Sequence, residues 1–265
     1  MPDIELTTEQ HQQWTEEGYL LVRGLLAGNQ ATEIKTWVDE VAQWPSEGGP
    51  WLHHHEQTKF GDQLTRTEYF LDFHSGLRQV CSAGKVLGII RALFNEPAVL
   101  YKEKINYKYP DGGGYAAHQD APAFEHGTRH ITCAIAVDPA TLENGCLLLA
   151  PGMHRQGLLP QDDTGCLCPN FAESLDWDPA PMAEGDALFF DSYTPHKSSK
   201  NQTEQPRRNL YLTYNTVADG DLRETYYASK KKTFATRSKE DWQTFSVSKI
   251  GHFRGIPVKK DGNEH

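Results

Sequence analysis

The run Ala98-Val-Leu-Tyr-Lys-Glu-Lys-Ile-Asn-Tyr-Lys-Tyr109 is where this chain changes character. Leu100, Ile105, Tyr107 and Tyr109 stand among lysines in the alternating pattern of a strand. The Asp111-Gly-Gly-Gly114 turn follows at once, with backbone freedom for positive φ. Beyond it, residues 131–137, 146–150, 187–190 and 209–217 read as further strands, punctuated by Asn144-Gly145, Pro151-Gly152 and Glu184-Gly185-Asp186. Several short strands separated by turn signals predict a β-sandwich or barrel.

Upstream of this run the periodicity is helical. Thr7 or Thr8 can cap a helix whose acids Glu9, Glu16 and Glu17 suit its N-terminal half, and Gly18 stops it. Residues 19–22 form a short apolar run that reads as a strand. Ile34, Trp37, Val38 and Val41 make a helical stripe over residues 31–44, closed by Pro45. Residues 50–55 read as a loop. Leu77, Val80, Cys81, Val86, Leu87, Ile90 and Leu93 predict one helix over residues 75–94. The expected organisation is a single domain over residues 1–265. It has a helical N-terminal part of about 1–97, a strand-rich core of about 98–228 and a polar, basic C-terminal extension from Ser229 onward.

Composition narrows the function classes. The 265 residues carry 36 acids against 26 Lys plus Arg, a formal charge of −10, and phosphate binding needs the opposite surplus, so no nucleic-acid partner is expected. No apolar run approaches the ~20 residues that cross a bilayer. Residues 1–13 are polar and acidic, which is not the pattern of a secretory signal. Cys81, Cys133, Cys146, Cys166 and Cys168 are odd in number and widely spread, so reduced thiols in a cytoplasmic protein are expected. Chemistry must therefore come from motifs, and a small-molecule substrate is the expected partner.

His118-Gln119-Asp120 places two potential ligands two positions apart, a spacing that on a strand or its end turns both to one face. His196 follows at the end of Gly185-Asp-Ala-Leu-Phe-Phe-Asp-Ser-Tyr-Thr-Pro-His196, and Arg207 lies 11 residues further on at the start of another strand-like run. Two neutral imidazoles and one carboxylate on one face of a metal leave its other face open, the facial arrangement of non-haem Fe(II) oxygenases. Open positions accept a bidentate 2-oxo acid and then dioxygen. A 2-oxo diacid needs a fixed cation for its far carboxylate, and the planar fork of an arginine suits that role. Arg208 adjoins Arg207, and in a strand only one of the pair can point inward.

These motifs resemble the phytanoyl-CoA dioxygenase-like Fe(II)/2-oxoglutarate oxygenases. The resemblance rests on Ile105-Asn-Tyr-Lys108, Ala117-His-Gln-Asp120, Glu143-Asn-Gly-Cys-Leu147, Ala150-Pro-Gly-Met-His154, Glu184-Gly-Asp186 and Thr194-Pro-His196, ending at Arg207. It implies a mainly β fold with N-terminal helices packed on a double-stranded β-helix (jelly-roll) core. It further implies that His118, Asp120 and His196 bind Fe(II), that Arg207 holds the distal carboxylate of 2-oxoglutarate, and that Lys108, Thr132 and Asn106 help to hold this cosubstrate. The implied activity is an O2-dependent hydroxylation, since Asp120 leaves no vacancy of the kind that halogenases use for halide.

Residues 51–56 and 66–74 are similar to those of bacterial organophosphonate hydroxylases, which act on 2-aminoethylphosphonate or its trimethylammonio analogue. That likeness implies Arg66 as a partner for a phosphonate and Tyr69 as one for an ammonium head. His53-His54-His55, with His74, is expected to line the mouth of the site rather than to hold a second metal. His126, Arg129 and His130 are loop residues within reach of a substrate anion, and His154 is expected to make a structural hydrogen bond. Two alternative readings of the metal triad stay open here: a non-redox jelly-roll isomerase or binding protein, and a zinc hydrolase.

Overall fold

Thr7 accepts a hydrogen bond from the Gln10 backbone while the Gln10 side chain accepts from the Thr7 backbone, and this capping box starts α1 (Thr8–Glu17). Gly18, left-handed at φ 79°, ends it and turns the chain into β1 (Tyr19–Val22). The computed structural model describes residues 4–46, 48–58, 60–124 and 126–235. α2 (Asn29–Ala42) is followed by a hairpin of β2 (Leu52–Thr58) and β3 (Gly61–Glu68), then α3 (Ser75–Ser82) and α4 (Gly84–Phe94). The strand-rich part comprises β4 (Ala98–Lys108), β5 (Tyr115–His118), β6 (His130–Ala136), β7 (Leu147–Leu149), a short α5 (Pro169–Glu173), β8 (Asp178–Ala180), β9 (Ala187–Asp191), β10 (His196–Ser198) and β11 (Arg207–Thr216). α6 (Arg223–Ala235) closes the described chain.

The strands form two antiparallel sheets, ordered β1-β9-β6-β11-β4-β3-β2 and β5-β10-β7-β8. Alternation along the strands of the large sheet divides its side chains cleanly. Ile105, Tyr107, Ile131, Cys133, Ile135, Phe189, Leu210, Leu212 and Tyr214 face the helices and pack with Ile34, Val38, Val41, Leu77, Val80, Val86, Ile90 and Leu93. Burying one such side chain contributes about 1.5–3 kcal/mol, so this outer core holds the fold together. Ala134, Ala136, Leu188, Phe190 and Tyr211 face the small sheet and meet Leu147, Leu149, Ala180 and Met182. With stability secured on one side, the remainder of the space between the sheets is free to be polar.

Four local expectations need correction. Residues 50–55 are not a loop: from Leu52 they run as β2, with Leu52 and His54 buried and His53 and His55 part-exposed. The three consecutive histidines hid that alternation. Residues 75–94 form two helices, because Ala83 is extended and Gly84 takes φ 72°, which lets α3 and α4 bury separate stripes. The N-terminal part also contributes β1 to one edge of the large sheet and β2–β3 to the other. The basic tail does not begin as a solvated extension. Up to Ala235 it is α6, docked by Arg223 and Tyr227 on the buried Glu103 and by Lys230 on Glu68. Residues 236–265 lie outside the described residues.

Candidate active site

His118 ends β5, Asp120 opens the short turn that follows it, and His196 begins β10 directly opposite His118 in the ladder. The two imidazole centroids are 4.2 Å apart. The Nδ1 of His118 donates to the Ala116 carbonyl at 2.7 Å, and that of His196 to the Thr194 carbonyl at 3.1 Å. A carbonyl can only accept, so each ring carries its proton on Nδ1 and leaves Nε2 as a lone-pair donor. Those Nε2 atoms lie 3.9 and 4.0 Å from Asp120 Oδ1, and one ligand atom from each residue falls within 4.8 Å of the others. Burial holds His118 neutral, drawing its pKa down to about 3, and His196 is lowered for the same reason. Burial opposes the Asp120 charge, but with both imidazoles neutral the nearby Lys102 and Lys104 side chains favour the ionised carboxylate and hold its pKa down. Neutral imidazoles with free lone pairs and an ionised carboxylate on one small sphere are the donor set that an Fe(II) ion needs.

Gln119, between the ligands, faces the other way, as the spacing of two requires. Its amide donates to the carbonyls of Gly157 and Tyr193 and accepts from the Leu159 backbone, tying three loops to the ligand strand. Thr132 Oγ1 lies 3.5 Å from Asp120 Oδ2 and 3.0 Å from Thr213 Oγ1, so the expected Thr132 does border the triad.

The inner face of the large sheet can be read as rows across β3, β4, β11 and β6. One row runs Glu68, Lys104, Tyr211, Ala134; the next runs Arg66, Asn106, Asn209, Ala136; beyond it Lys108 pairs with Arg207. Arg207 is 2 % exposed, donates to the Gly145 carbonyl at 2.6 Å, and leaves its buried Nε without a partner. No carboxylate among the described residues pairs with it, an arrangement that costs several kcal/mol unless an anionic ligand completes it. Arg208 points to the opposite face, where it pairs with Asp138 and Asp39. Lys108 donates to the carbonyls of Gly145 and Ser199 and to Ser198 Oγ, and burial brings its pKa down to about 6. Its amino group, through these three hydrogen bonds, anchors the loop beside Arg207. Asn106 accepts from Arg66 Nε at 3.2 Å.

Gly145 carries both contacts. It takes φ 77°, and a Cβ there would sit 2.3 Å from the Ser199 carbonyl and 2.8 Å from Lys108 Nζ. Gly145→Ala should therefore cost about 2 kcal/mol or more of stability and weaken 2-oxoglutarate binding as Arg207 loses its carbonyl. A denaturant midpoint and a 2-oxoglutarate titration of the same variant check this.

Arg66 is buried beside Asn106 and Glu68, as a site residue would be. Tyr69 is not. At φ 57° it turns away from the sheet interior, stacks on Tyr227 at 4.6 Å, bonds Glu224, and has the Lys231 ammonium 3.5 Å above its ring. It packs α6 and is no part of the pocket, which corrects the expectation drawn from the likeness. Arg129 likewise points outward, to Glu96. His54 is buried against Glu68, and His53 bonds Thr67, so the histidine run supports the hairpin.

Sequence reading missed Lys102 and Lys104. Their signal was present, since they share the even-numbered positions of β4 with Asn106 and Lys108. Lys102 Nζ lies 4.4 Å from the Phe124 ring centroid and 5.8 Å from that of Tyr226, and Lys104 Nζ lies 4.8 Å from the centroid of Tyr211. Burial lowers the pKa of Lys102 and brings that of Lys104 down to about 7, so an anion sharing this space would favour the protonated form of both.

Comparison with known proteins agrees with this geometry. The phytanoyl-CoA dioxygenase (PhyH) family model matches residues 14–209. A methylphosphonate hydroxylase from Gimesia maris is 52% identical over 96% of this chain and 98% of that protein. A 2-aminoethylphosphonate dioxygenase from an uncultured bacterium is 36% identical, over 96% of this chain and 98% of that protein. In fold, the chain is similar to the crystal structure of EctD from S. alaskensis with 2-oxoglutarate and 5-hydroxyectoine. That match has a TM-score of 0.71 at 16% identity and covers 83% of this chain and 79% of that one. The jelly-roll architecture is therefore the one its motifs implied, and among the described residues no helix is long and apolar enough to cross a membrane. Its triad, its fold and these relatives together make the chain a member of the phytanoyl-CoA dioxygenase family, the non-haem iron, 2-oxoglutarate-dependent dioxygenases.

Proposed function

We propose that this enzyme hydroxylates a small organophosphonate at a carbon close to phosphorus. The observation that carries this reading is the set of inward cations, Arg66, Lys102 and Lys104, facing a triad whose own charge needs only the iron. The names of the two relatives that match nearly the whole chain point to the same substrate class.

In this reading His118, Asp120 and His196 hold Fe(II), and Arg207 grips the distal carboxylate of 2-oxoglutarate. Thr132 orients Asp120, Lys108 fixes the Gly145 loop against Arg207, and Asn106 spaces Arg66 from the cosubstrate. When bound, iron and 2-oxoglutarate supply the oxidation: one atom of dioxygen enters a substrate C–H bond and the other enters succinate as CO2 leaves. The chain's part is to place that C–H bond, to hold the phosphonate charge, and to keep water out with Phe124, Tyr211 and Tyr226. The free cysteines, most of them buried, support residence in a reducing compartment, the cytoplasm.

Anaerobic addition of Fe(II) and 2-oxoglutarate should produce a weak visible charge-transfer band. Methylphosphonate or 2-aminoethylphosphonate should perturb that band and, once air is admitted, stimulate succinate release. If carboxylate and sulfonate analogues stimulate release equally and phosphonates do not stand out, the substrate assignment is wrong.

A further inference from the structure

Lys102 and Lys104 neither ligate at the triad nor touch the 2-oxoglutarate anchor, although their charge helps to keep Asp120 ionised. They occupy alternate positions of β4 and so project from one face into the space between the sheets. A bulge at Tyr101, where β11 passes from Thr213 to Tyr214, sets this parity. Neither ammonium makes a hydrogen bond or ion pair with another described residue. Each is bordered by aromatic rings instead, Phe124 and Tyr226 for Lys102 and Tyr211 for Lys104. Rings soften the loss of hydration but accept no conventional hydrogen bond. Two adjacent ammoniums with unspent N–H donors suit a tetrahedral dianion, which offers an acceptor on each of its oxygens.

The carboxylate nearest these lysines in the ladder is Glu68, opposite Lys104 across β3 and β4. Its charge is already matched by neighbours. Lys230, reaching in from α6, holds Oε2, while Arg66 and His54 stand 3.5 Å from Oε1. Burial opposes the charge of this carboxyl, yet the Lys230 ammonium and the Arg66 guanidinium hold its pKa low and keep it ionised. A substrate ammonium arriving here would meet two lysines and an acid already neutralised.

Resting on the organophosphonate reading above, we infer that Lys102 and Lys104 grip the phosphonate dianion, and that Lys230, by occupying Glu68, makes the pocket select phosphonates without an amino group. Methylphosphonate is then preferred over 2-aminoethylphosphonate, and α6 is a specificity element although it follows the jelly-roll strands in the chain.

The test uses the iron-reconstituted enzyme with both compounds. Wild type should favour methylphosphonate by at least about 10-fold in kcat/KM. Lys102→Met and Lys104→Met should each raise KM for methylphosphonate on the order of 10- to 100-fold, the scale for truncating one partner of a buried charge pair. With Fe(II) saturating, the KM for 2-oxoglutarate should change far less than that for methylphosphonate in both, since these lysines do not touch that anchor and act on the triad only through the charge of Asp120. Lys104→Arg, which keeps the charge, should recover most of the loss, a rescue that a merely structural lysine would not require. Lys230→Met should narrow the preference by releasing Glu68 to the amino group. An unchanged methylphosphonate KM in both lysine-to-methionine variants would overturn the grip. Equal use of the two compounds by wild type, or no response of the preference to Lys230→Met, would overturn the selection mechanism. Wild type inert toward every phosphonate would instead remove the functional reading itself, and this is seen before any variant is made.

Discussion

Asp120→Ala should abolish turnover and the Fe(II)–2-oxoglutarate charge-transfer band while leaving the fold intact. Removing a residue that only supports a ligand typically costs 10- to 100-fold in metal affinity or activity, so loss of a direct ligand should exceed about 100-fold. Structure should survive because Asp120 sits in a turn and its side chain holds no strand in register. The change also leaves Lys102 and Lys104 without the carboxylate that offsets them, which favours a water or an anion in the vacated space. Metal titration under anaerobic conditions, together with a melting curve, separates the two effects. An Asp120→Ala enzyme that still bound Fe(II) with wild-type affinity would show that the three side chains do not act on one ion.

Arg207→Ala should raise the 2-oxoglutarate concentration needed for half-maximal rate about 100-fold, whereas Arg208→Ala should leave it unchanged. The two arginines are neighbours in sequence and have opposite roles, because β11 turns one inward and one outward. Arg207 donates to the Gly145 carbonyl and the Asn209 amide oxygen and keeps a buried Nε without a protein partner, which supports the proposal that a dicarboxylate completes its hydrogen bonding. Arg207→Lys keeps the charge but not the fork and should fall between wild type and alanine. Arg208→Ala should instead lower stability by about 1 kcal/mol, the scale of a partly exposed ion pair. That loss carries a pH signature. Burial opposes the Asp138 charge, but the hydrogen bonds and charge of Arg208 hold its pKa below the ordinary carboxylate value. The pair therefore stabilises the fold fully at pH above about 4, and its contribution disappears as pH falls and Asp138 is protonated. Wild type and Arg208→Ala should converge in denaturant midpoint at acid pH and diverge near neutrality.

Much of the metal centre was legible because its determinants are local. A spacing of two on a strand end turns His118 and Asp120 to one face whatever the rest of the chain does. The Thr194-Pro195-His196 segment brings the second imidazole to the facing strand, and the Asn144-Gly145 turn announces the carbonyl that Arg207 meets. Helix ends were equally readable, since Thr7, Gln10 and Gly18 act within one turn of α1. Less legible were elements whose character depends on a distant partner. The segment from Leu52 to Thr58 looks like a polar loop until β3 pairs with it, and His54 becomes a buried residue only because Glu68 lies within reach. Tyr69, next to Glu68 in the chain, turns away because its backbone takes a left-handed conformation at the strand end.

By itself, the amino-acid sequence determined the jelly roll, the His118, Asp120 and His196 triad and the inward-facing Arg207, because fixed spacings and strand alternation act over a few residues. Only the tertiary structure decided which charges in the interior remain unspent. The bulge at Tyr101 sets which lysines of β4 face inward, and α6 carries Lys230 across 162 residues of chain to neutralise Glu68. Electrostatic availability is a property of the assembled surroundings, since a charge counts as free or satisfied only once burial and every neighbour are in place.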